Sequence, residues 1–502
     1  MRPMSLFDRQ PKRLLLALAC LAVFAIPLSG QSSQTPIGTQ LPELPEAHSP
    51  VLLKAVTDPA TGKSAFSFRG SETPPVIRSR PGTKISIDYV NAMSSHSHET
   101  CVDGTCQNMT NLHFHGLHVS PNAPQDDVIT MMAMPGQSLH YLVDIPLDQP
   151  PGLYWYHTHP HGESYQQSLD GMSGAIVIDG IERYAPEVTK MKEKILVLRD
   201  FDLSLDPSSS AKMQEAVSMS RVPCGKATGE PQRIFTVNGV VRPKISIAPG
   251  ERQFWRIVNA SPDLYADLEI DSSAMKVIAM DGMPLAFHDP GHASEDFEHV
   301  LLAPAGRVEA IVQGPSQGKA VLRSRCVDTG PAGDPNLAMV IADLDNTTPP
   351  VASGSIPVSA TAPAKSYPIP KGLIDEVEHA DPAFVVDFTE DQHGFYINGK
   401  KYGPDAPPMT TVRTGKYLHW RVVNNTDEIH PFHIHQVHFL AYEVNGQRVA
   451  DPLWMDTINV PVRGEIDLMM DFTDPIIKGM SVFHCHLLKH EDKGMMAKIL
   501  FQ

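Results

Sequence analysis

The chain has 502 residues, a formal net charge of −16, 45 prolines and 34 glycines. An acidic chain is a poor partner for nucleic acid and for anionic membrane surfaces, so we expect neither. The length suits three domains of ordinary size. The many prolines and glycines, with no convincing long amphipathic helix, indicate an all-β chain built from β-sandwich domains.

Residues 1–31 are predicted to be an export signal. Basic residues between Arg2 and Arg13 precede the apolar run Leu14–Leu28, and Ser29-Gly30-Gln31 follows it. This run of about fifteen residues is short for a membrane span. We therefore expect an exported protein, periplasmic or secreted, that is free of the membrane once the signal is removed.

Three segments repeat a Gly and an Asn nine residues apart, with a strand-like stretch between them, and they run from Gly82 to Asn91, Gly250 to Asn259 and Gly415 to Asn424. A repeat at intervals of roughly 165 residues indicates three copies of one β domain. We place domain 1 at residues 45–183, domain 2 at 184–345, and domain 3 at 373–502. The stretch 346–372 is rich in Pro, Ser, Ala and Thr and is predicted to be a linker.

Six cysteines are present. Cys20 belongs to the predicted signal, and Cys485 lies in a metal-binding pattern described below, which leaves four. An exported compartment permits disulfides. Of the three possible connectivities, we expect the one with the bonds Cys101–Cys106 and Cys224–Cys326.

The histidines are concentrated in HxH pairs. With 23 His in the chain, about one such pair is expected by chance, and six are present. Alternate residues of a strand share a face, so a pair presents two imidazoles on one side. The pair His96/His98 and the residue His161 lie in contexts typical of loops. The other pairs lie in apolar surroundings and predict a buried metal cluster; they are His113/His115, His157/His159, His433/His435 and His484/His486.

The run from His484 to Met495 has the spacing of a copper site. Two imidazoles, a Cys thiolate and a weak axial Met are the ligands of a blue electron-transfer copper, and Cys485, His490 and Met495 supply three of them. If residues 482–487 form a strand, Cys485 faces one way while His484 and His486 face the other. One strand would then contact two metal sites.

With these motifs the chain resembles the multicopper oxidase family, the laccase-like oxidases of three cupredoxin domains. The four family motifs are present in order, as HxHG at His113–Gly116, HxH at His157–His159, HPxHxH at His430–His435 and HCHxxxHxxxxM at His484–Met495. The resemblance implies three cupredoxin-like Greek-key β-sandwich domains. It also implies four coppers per chain, one of type 1, one of type 2 and two of type 3.

The resemblance also implies which residue holds which copper. Type 1 copper would be bound by His430, Cys485, His490 and Met495. Type 2 copper would be bound by His113 and His433. One type 3 copper would be bound by His115, His157 and His486, and the other by His159, His435 and His484. Domain 2 supplies no ligand and would act as a spacer and wall, while His118 and His438 have no place in the pattern and are interpreted as supporting or packing residues.

The function that the resemblance implies is that of a laccase-like oxidase. Single electrons would enter at the type 1 copper, pass through Cys485 to the trinuclear cluster, and reduce dioxygen to water. Glu491 matches the carboxylate that the family uses to deliver protons, and Asp126 or Asp127 is a candidate for a second one. The alternatives are a solvated loop for Glu491 and a turn for either aspartate.

The electron donor is not defined by these motifs. An axial Met indicates a moderate type 1 potential, which favours phenols, aromatic amines or metal ions. One alternative is a cuprous oxidase in copper tolerance, although no long Met-rich segment is evident, and Met131–Met134 and Met469-Met470 are typical of a core. A second alternative is a non-catalytic copper-binding exported protein. We expect a monomer that acts on dioxygen and small reducing substrates.

Overall fold

The computed structural model describes residues 35–94, 106–205, 207–229, 232–271, 273–316, 319–346, 367–369 and 372–502. The predicted signal, the pair His96/His98, Cys101 and most of the predicted linker lie outside these residues. The described chain consists mainly of strands with a few short helices, which confirms the all-β prediction. None of the helices in these ranges is long and apolar enough to cross a membrane.

The first stretch of the chain, from Glu46 to Ile178, forms two sheets. Within the described residues its strands are β1 (Glu46–His48), β2 (Val51–Thr57), β3 (Ser64–Ser67), β4 (Val76–Ser79), β5 (Lys84–Ala92), β6 (His113–His115), β7 (Ser138–Asp144), β8 (Gly152–His157) and β9 (Ser173–Ile178). The orders are β1-β4-β9-β8-β6 and β3-β2-β5-β7. Helix α1 (Ser164–Leu169) follows β8. Buried side chains of both sheets, such as Leu53 and Phe114, form one apolar core.

The middle stretch of the chain, from Lys192 to Asp345, also forms two sheets. Its described strands are β10 (Lys192–Asp202), β11 (Arg233–Val237), β12 (Lys244–Ser246), β13 (Arg252–Asn259), β14 (Ala266–Ile270), β15 (Met275–Met280), β16 (Met283–Pro284), β17 (Glu295–Phe297), β18 (His299–Leu302), β19 (Arg307–Gln313), β20 (Ala320–Arg325) and β21 (Met339–Asp345). One sheet has the order β11-β10-β13-β19-β15-β16, with β17 beside β15, and the other has the order β12-β21-β20-β14-β18. Helix α2 spans Pro207–Val217.

The last stretch of the chain, from Leu373 to Phe501, again forms two sheets. After helix α3 (Leu373–Glu378), its described strands are β22 (Phe384–Asp391), β23 (Gly394–Ile397), β24 (Thr410–Val412), β25 (Lys416–Asn424), β26 (His430–Ile434), β27 (Phe439–Val444), β28 (Gln447–Arg448), β29 (Trp454–Met455), β30 (Thr457–Val460), β31 (Glu465–Phe472), β32 (Gly479–Cys485) and β33 (Met496–Phe501). The orders are β23-β22-β25-β31-β27-β28, with β29 beside β27, and β24-β33-β32-β26-β30. Helix α4 (Leu488–Asp492) lies between β32 and β33 in the chain.

The short 3-10 helices occupy connections. They are Ile181–Arg183, Pro186–Lys190, Leu203–Leu205 and Pro475–Ile477. The predicted bond between Cys224 and Cys326 is present, and Cys485 is a free, buried cysteine. Met469 and Met470 are fully buried in β31, so that pair belongs to the core as predicted.

The Gly and Asn repeat marks one structural feature in all three stretches. The repeat glycines Gly82, Gly250 and Gly415 have φ angles of +79°, +72° and +97°, a conformation that glycine adopts without a steric penalty. The strand that follows carries a fully buried Asn at its last or next-to-last position, whose amide donates to backbone carbonyls and whose oxygen accepts from the N–H two residues later; these are Asn91, Asn259 and Asn424. The repeat therefore has a structural cause, while the domain bounds stay a prediction.

Candidate metal centres

Two neighbouring strands of the last stretch carry ligand residues to two faces. Strands β26 and β32 are antiparallel, with Phe432 opposite Cys485 and His433 opposite His484. Because side chains alternate along a strand, His430 and Cys485 lie on one face, and His433 and His484 lie on the other. The predicted alternation is confirmed through Cys485, where β32 ends.

Three possible ligand atoms converge on the first face. Cys485 Sγ lies 3.4 Å from His430 Nδ1 and 4.0 Å from His490 Nδ1, and the two nitrogens are 3.3 Å apart. Helix α4 carries His490, whose ring stacks on Phe395 with 3.9 Å between centroids. Met495 is fully buried, and its carbonyl accepts a hydrogen bond from the Cys485 N–H at 3.1 Å. A thiol, two imidazoles and a thioether are the donors of a blue copper site.

Burial sets the protonation of this group. It lowers the pKa of His430 to about 3 and raises the pKa of the Cys485 thiol above its ordinary value. A neutral imidazole is ready to bind a metal, whereas the thiol must first lose its proton. Metal binding at this face would therefore release a proton from Cys485.

Eight imidazoles gather on the second face. The set comprises His113, His115, His157, His159, His433, His435, His484 and His486, each exposed by 2 % or less. In the first stretch, β6 and β8 are paired, with His113 opposite His157. The two groups meet face to face, because His113 stacks on His435 at 3.7 Å and His115 stacks on His433 at 3.9 Å between ring centroids. A cluster of histidines from two distant parts of the chain is the result.

One predicted type 3 set forms a close triad. The ligand atoms of His159, His435 and His484 lie within 4.8 Å of one another. His484 Nε2 is 3.3 Å from His159 Nε2 and 3.2 Å from His435 Nε2. This triad joins a residue of the first stretch to two residues of the last.

The other predicted trinuclear ligands are close but less clearly grouped. The rings of His115, His157 and His486 have centroids between 5.1 and 5.9 Å apart. His113 and His433, the predicted type 2 pair, have centroids 6.1 Å apart. All the predicted trinuclear ligands therefore lie in one cluster, and the allotment of each imidazole to one metal stays a prediction.

The donor set fits metal ions, because many ring nitrogens in the cluster are buried without a hydrogen-bond partner among the described residues. These atoms are His113 Nε2, His115 Nδ1, His157 Nε2, His433 Nε2, His435 Nδ1 and both nitrogens of His486. Leaving a buried polar atom unpaired costs about 1–3 kcal/mol, so a group of them calls for an explanation. Burial also lowers the pKa of His113 and His115 well below the ordinary value, which keeps these imidazoles neutral. Neutral imidazoles with free lone pairs suit copper.

The two aspartates after the first motif have different environments. Asp126 is buried, and its carboxylate lies 3.0 Å from His113 Nδ1 and accepts from Gln436 Nε2 at 2.7 Å. Burial raises the pKa of Asp126 to about 8. The carboxylate of Asp127 instead accepts from the backbone N–H groups of Ile129 and Thr130, as in a turn. Only Asp126 contacts a predicted ligand.

Glu491 lies in α4 with no exposed surface, so it does not occupy a solvated loop. One carboxylate oxygen is 3.3 Å from His484 Nδ1, and the other is 3.6 Å from His159 Nδ1. Ser164 Oγ donates to this second oxygen at 3.1 Å. Burial, with the charge of Asp492, raises the pKa of Glu491 well above its ordinary value. A carboxyl group whose raised pKa favours the protonated form therefore lies beside two imidazoles of the cluster.

Sequence reasoning missed a buried ion pair beneath the cluster. Arg307 of β19 donates to both oxygens of Asp456, at 2.7 and 2.6 Å, and Asp456 Oδ1 lies 3.2 Å from His115 Nε2. Asp281 accepts from the backbone N–H of Arg307 at 2.8 Å. The middle stretch therefore contributes charged groups here and is more than a spacer. No local motif marks these residues, because 149 positions separate Arg307 from Asp456.

The two histidines without a place in the pattern lie beside this ion pair. His118 Nε2 and His438 Nδ1 are 2.6 Å apart, and His438 Nε2 lies 2.8 Å from the carbonyl oxygen of Asp281. Burial lowers the pKa of His118 to about 3 and also lowers the pKa of His438, which favours the neutral form of both rings. The structure thus gives both histidines hydrogen-bonding roles outside the ligand set.

A cavity of about 460 Å³ opens beside His490. Glu428 lines it, with one carboxylate oxygen 3.3 Å from His490 Nε2. Burial, together with neighbouring Glu390, raises the pKa of Glu428 to about 9. Further charged side chains on its wall are Asp202, Asp263, Asp334, Arg233, Lys489 and Lys493. Acidic groups outnumber basic ones in the cavity beside this imidazole.

Comparison with known proteins agrees with this picture. Two sequence models, both described as multicopper oxidase, match residues 54–183 and 378–502. A multicopper oxidase of Staphylococcus haemolyticus is 23% identical over 446 residues, covering 87% of this chain and 83% of that protein. A laccase of Haloferax volcanii is 25% identical over 484 residues, covering 86% of this chain and 77% of that protein.

Solved structures share the fold. A multicopper oxidase from Campylobacter jejuni, described as a metallo-oxidase, superposes with a TM-score of 0.68 at 24% identity, covering 93% of this chain and 96% of its own. A multicopper oxidase from Aquifex aeolicus gives a TM-score of 0.70 at 20% identity, covering 93% and 100%. These neighbours confirm the cupredoxin-like fold. Because the two family models match both stretches that hold the histidine motifs, about half of the chain in all, the protein belongs to the multicopper oxidase family, the copper-dependent oxidoreductases that use dioxygen.

Proposed function

We propose that the protein is a laccase-like oxidase that takes single electrons from small donors at a type 1 copper and reduces dioxygen to water at a trinuclear copper cluster. The observation that carries the proposal is the pair of strands β26 and β32, with Cys485 on one face and His433 and His484 on the other. When bound, about four coppers per chain would supply the electron transfer and the reduction of dioxygen. The chain's own residues supply the ligands, the bonded route and the protons.

The bonded route between the two faces is short. The Cys485 side chain connects through one backbone unit to His484 and through another to His486. His484 Nδ1 also lies 3.0 Å from the Cys485 carbonyl oxygen, which fixes the ring and leaves Nε2 facing the cluster. An electron that reaches the Cys485 sulfur thus has a continuous path to imidazoles of the second face.

Reduction of dioxygen to water consumes protons, which must reach a buried site. We assign their delivery to Glu491 and Asp126, because each carboxyl group is buried and contacts an imidazole of the cluster. A carboxyl group that stays protonated near neutral pH can act there as a general acid. The role falls to Asp126 rather than Asp127, because the carboxylate of Asp127 is engaged by a turn.

Donors would bind in the cavity beside His490. The Nε2 edge of this ring faces Glu428, and the surrounding wall carries more acidic than basic side chains. Such a wall attracts cations and repels anions. Among the predicted donors, it therefore favours metal ions and cationic aromatic amines over anionic phenolic compounds.

Oxygen uptake tests the proposal directly. Copper-loaded protein should consume oxygen with a phenolic or aromatic amine donor, one molecule for every four electrons removed, and copper-depleted protein should not. Uptake with cuprous ions alone would support a cuprous oxidase in copper tolerance. Copper binding without any uptake would support the non-catalytic copper-binding protein and overturn the proposal.

The donor assignment has its own test. Asp334→Asn, which removes an exposed carboxylate from the cavity wall, should raise the KM for a cationic aromatic amine by up to about fivefold, the size expected for one partly solvated charge pair, and should lower or leave unchanged the KM for a sulfonated phenol. Asp405→Asn is the matched control, since Asp405 is also an exposed aspartate but does not line this cavity. An equal rise in both KM values would contradict a charge effect.

We also propose that the protein is exported. The predicted signal at residues 1–31 and the bond between Cys224 and Cys326 support this location, since disulfides persist in oxidising compartments. Fractionation of cells with N-terminal sequencing of the purified protein checks it. A chain that keeps its first residues and stays in the cytosolic fraction would contradict export.

A further inference from the structure

We propose that Arg307, from the middle stretch of the chain, is a positioning residue of the trinuclear site, acting through Asp456 on His115 and His433. The inference rests on the proposed function, because it takes these two imidazoles as copper ligands. It gives the middle stretch, which supplies no ligand, a defined part in building the cluster.

Arg307 and Asp456 form a buried ion pair. Arg307 and Asp456 both have side chains with no exposed surface, and the guanidinium donates to each carboxylate oxygen, at 2.7 and 2.6 Å. A two-bond fork of this kind fixes the carboxylate in plane and direction, which a single charge cannot do. Removing one member would leave the other as a buried, unpaired charge. The position of Asp456 is therefore determined by Arg307.

Asp456 in turn contacts two imidazoles of the cluster. His115 Nε2 lies 3.2 Å from Asp456 Oδ1, and His433 Nδ1 lies 2.8 Å from the Asp456 carbonyl oxygen. Both acceptors require an N–H on the facing nitrogen, so the lone pair of each ring falls on the opposite nitrogen. Those opposite atoms, His115 Nδ1 and His433 Nε2, are buried without a partner among the described residues. One residue thus selects the tautomer of two ligands, as supporting carboxylates do at metal sites.

Backbone contacts to Asp281 fix the positions of both Arg307 and Asp456. Asp281 of the middle stretch accepts from the Arg307 backbone N–H at 2.8 Å and from the Asp456 backbone N–H at 3.2 Å. The Arg307 guanidinium also donates to the Asp281 carbonyl at 2.8 Å. Arginine, aspartate and backbone therefore form one network that joins the middle stretch to the last.

The network also reaches the first histidine motif, at Gly116. A Cβ atom added at Gly116 would lie 2.6 Å from Asp456 Oδ2 and would also meet the Arg307 guanidinium. Gly116 has a φ of +85° and directly follows His115. The glycine of the HxHG motif therefore leaves the space through which the ion pair reaches the imidazole. Three stretches of the chain meet at this point.

The test is copper binding followed by electron paramagnetic resonance of the type 2 copper, with blue absorbance recorded on the same samples. Arg307→Met should keep the blue colour but weaken copper binding at the cluster by roughly 10–100-fold and change the type 2 spectrum. Arg307→Lys keeps the charge but not the fork, so it should have a smaller effect in the same direction. The type 1 ligands do not contact this network, which makes the blue band an internal control.

The matched control is Arg256→Met. Arg256 is equally buried in the neighbouring strand β13 and pairs with Glu193 and Glu309, yet it contacts no imidazole of the cluster. It should lower stability without changing the type 2 spectrum. A type 2 change in Arg256→Met as large as that in Arg307→Met would overturn the inference, because the effect would then be one of stability alone.

Asp456→Asn decides the matter if Arg307→Met fails to fold. It keeps the size of the side chain while replacing an oxygen with an N–H group, so it should also weaken type 2 binding and keep the blue band. Parent-like type 2 affinity and spectrum in Asp456→Asn would overturn the inference, as would loss of the blue band in both variants. A parent protein that shows no type 2 signal when fully loaded would instead refute the proposed function.

Discussion

The two predicted copper sites lie on opposite faces of the same pair of strands, yet they are assembled differently. The predicted type 1 ligands all come from the last stretch of the chain, between His430 and Met495. The predicted trinuclear ligands come from the first and last stretches, and Arg307 of the middle stretch lies beneath them. A site built within one stretch of the chain depends on local structure, whereas a site built between stretches depends on the packing of the whole molecule. A substitution that disrupts one predicted copper site should therefore leave the other intact.

Cys485→Ser should have the largest effect. We expect the blue colour and the oxidase activity to be lost together, because the colour arises from charge transfer between a thiolate and copper and the bonded route starts at that sulfur. Visible absorbance and oxygen uptake on matched amounts of protein provide the measurement. A blue Cys485→Ser protein would rule out this residue as the type 1 ligand.

His433→Ala separates the two sites. It should remove type 2 copper and oxygen reduction while leaving the blue band largely intact, because His433 lies on the face away from Cys485. Its thermal stability should also fall, since metal bound between two stretches contributes to folding. His419→Ala is the control, a buried imidazole that contacts Asp467 outside the cluster and should leave turnover intact. Unchanged turnover in His433→Ala would contradict the assignment.

Glu491→Gln should keep every copper and the blue band but slow turnover by roughly a hundredfold or more, the range expected for a positioned general acid. The measurement is stopped-flow reoxidation of the fully reduced protein by oxygen, alongside anaerobic reduction of the blue copper by donor. Reoxidation at the parent rate would exclude Glu491 as a proton donor. If only the reduction of the blue copper slows, the residue acts at the type 1 site.

The neighbouring aspartates provide the smallest and most selective comparison. Asp126→Asn should slow oxygen reduction by roughly 10–100-fold, because it changes the hydrogen-bond partner of His113. Asp127→Asn should lower the free energy of unfolding by about 1 kcal/mol through the turn and leave turnover intact. Steady-state oxygen uptake and chemical denaturation on both variants supply the data. If Asp127→Asn slows oxygen uptake more than Asp126→Asn does, Asp127 rather than Asp126 would be the proton donor.

The sequence by itself determined the fold class and predicted the metal ligands. Strand alternation and the Gly and Asn repeat are local patterns, and each was realised because backbone geometry repeats every two residues in a strand and because glycine accepts a positive φ in the turn before it. The spacing from His484 to Met495 was equally informative, since few other functions use a thiol, imidazoles and a thioether so close together.

Only the tertiary structure decided which ionisable side chains contact the histidine cluster. Asp126 contacts His113, whereas Asp127 accepts hydrogen bonds within a turn. Glu491 lies in a buried helix rather than in a solvated loop. Arg307 pairs with Asp456 although the two are far apart in the chain. Such contacts join residues far apart in the chain and depend on burial, which raises the pKa of a carboxyl group and makes an ion pair directional. Neither property leaves a periodic pattern in the sequence, because each arises only where sheets from different stretches exclude water together.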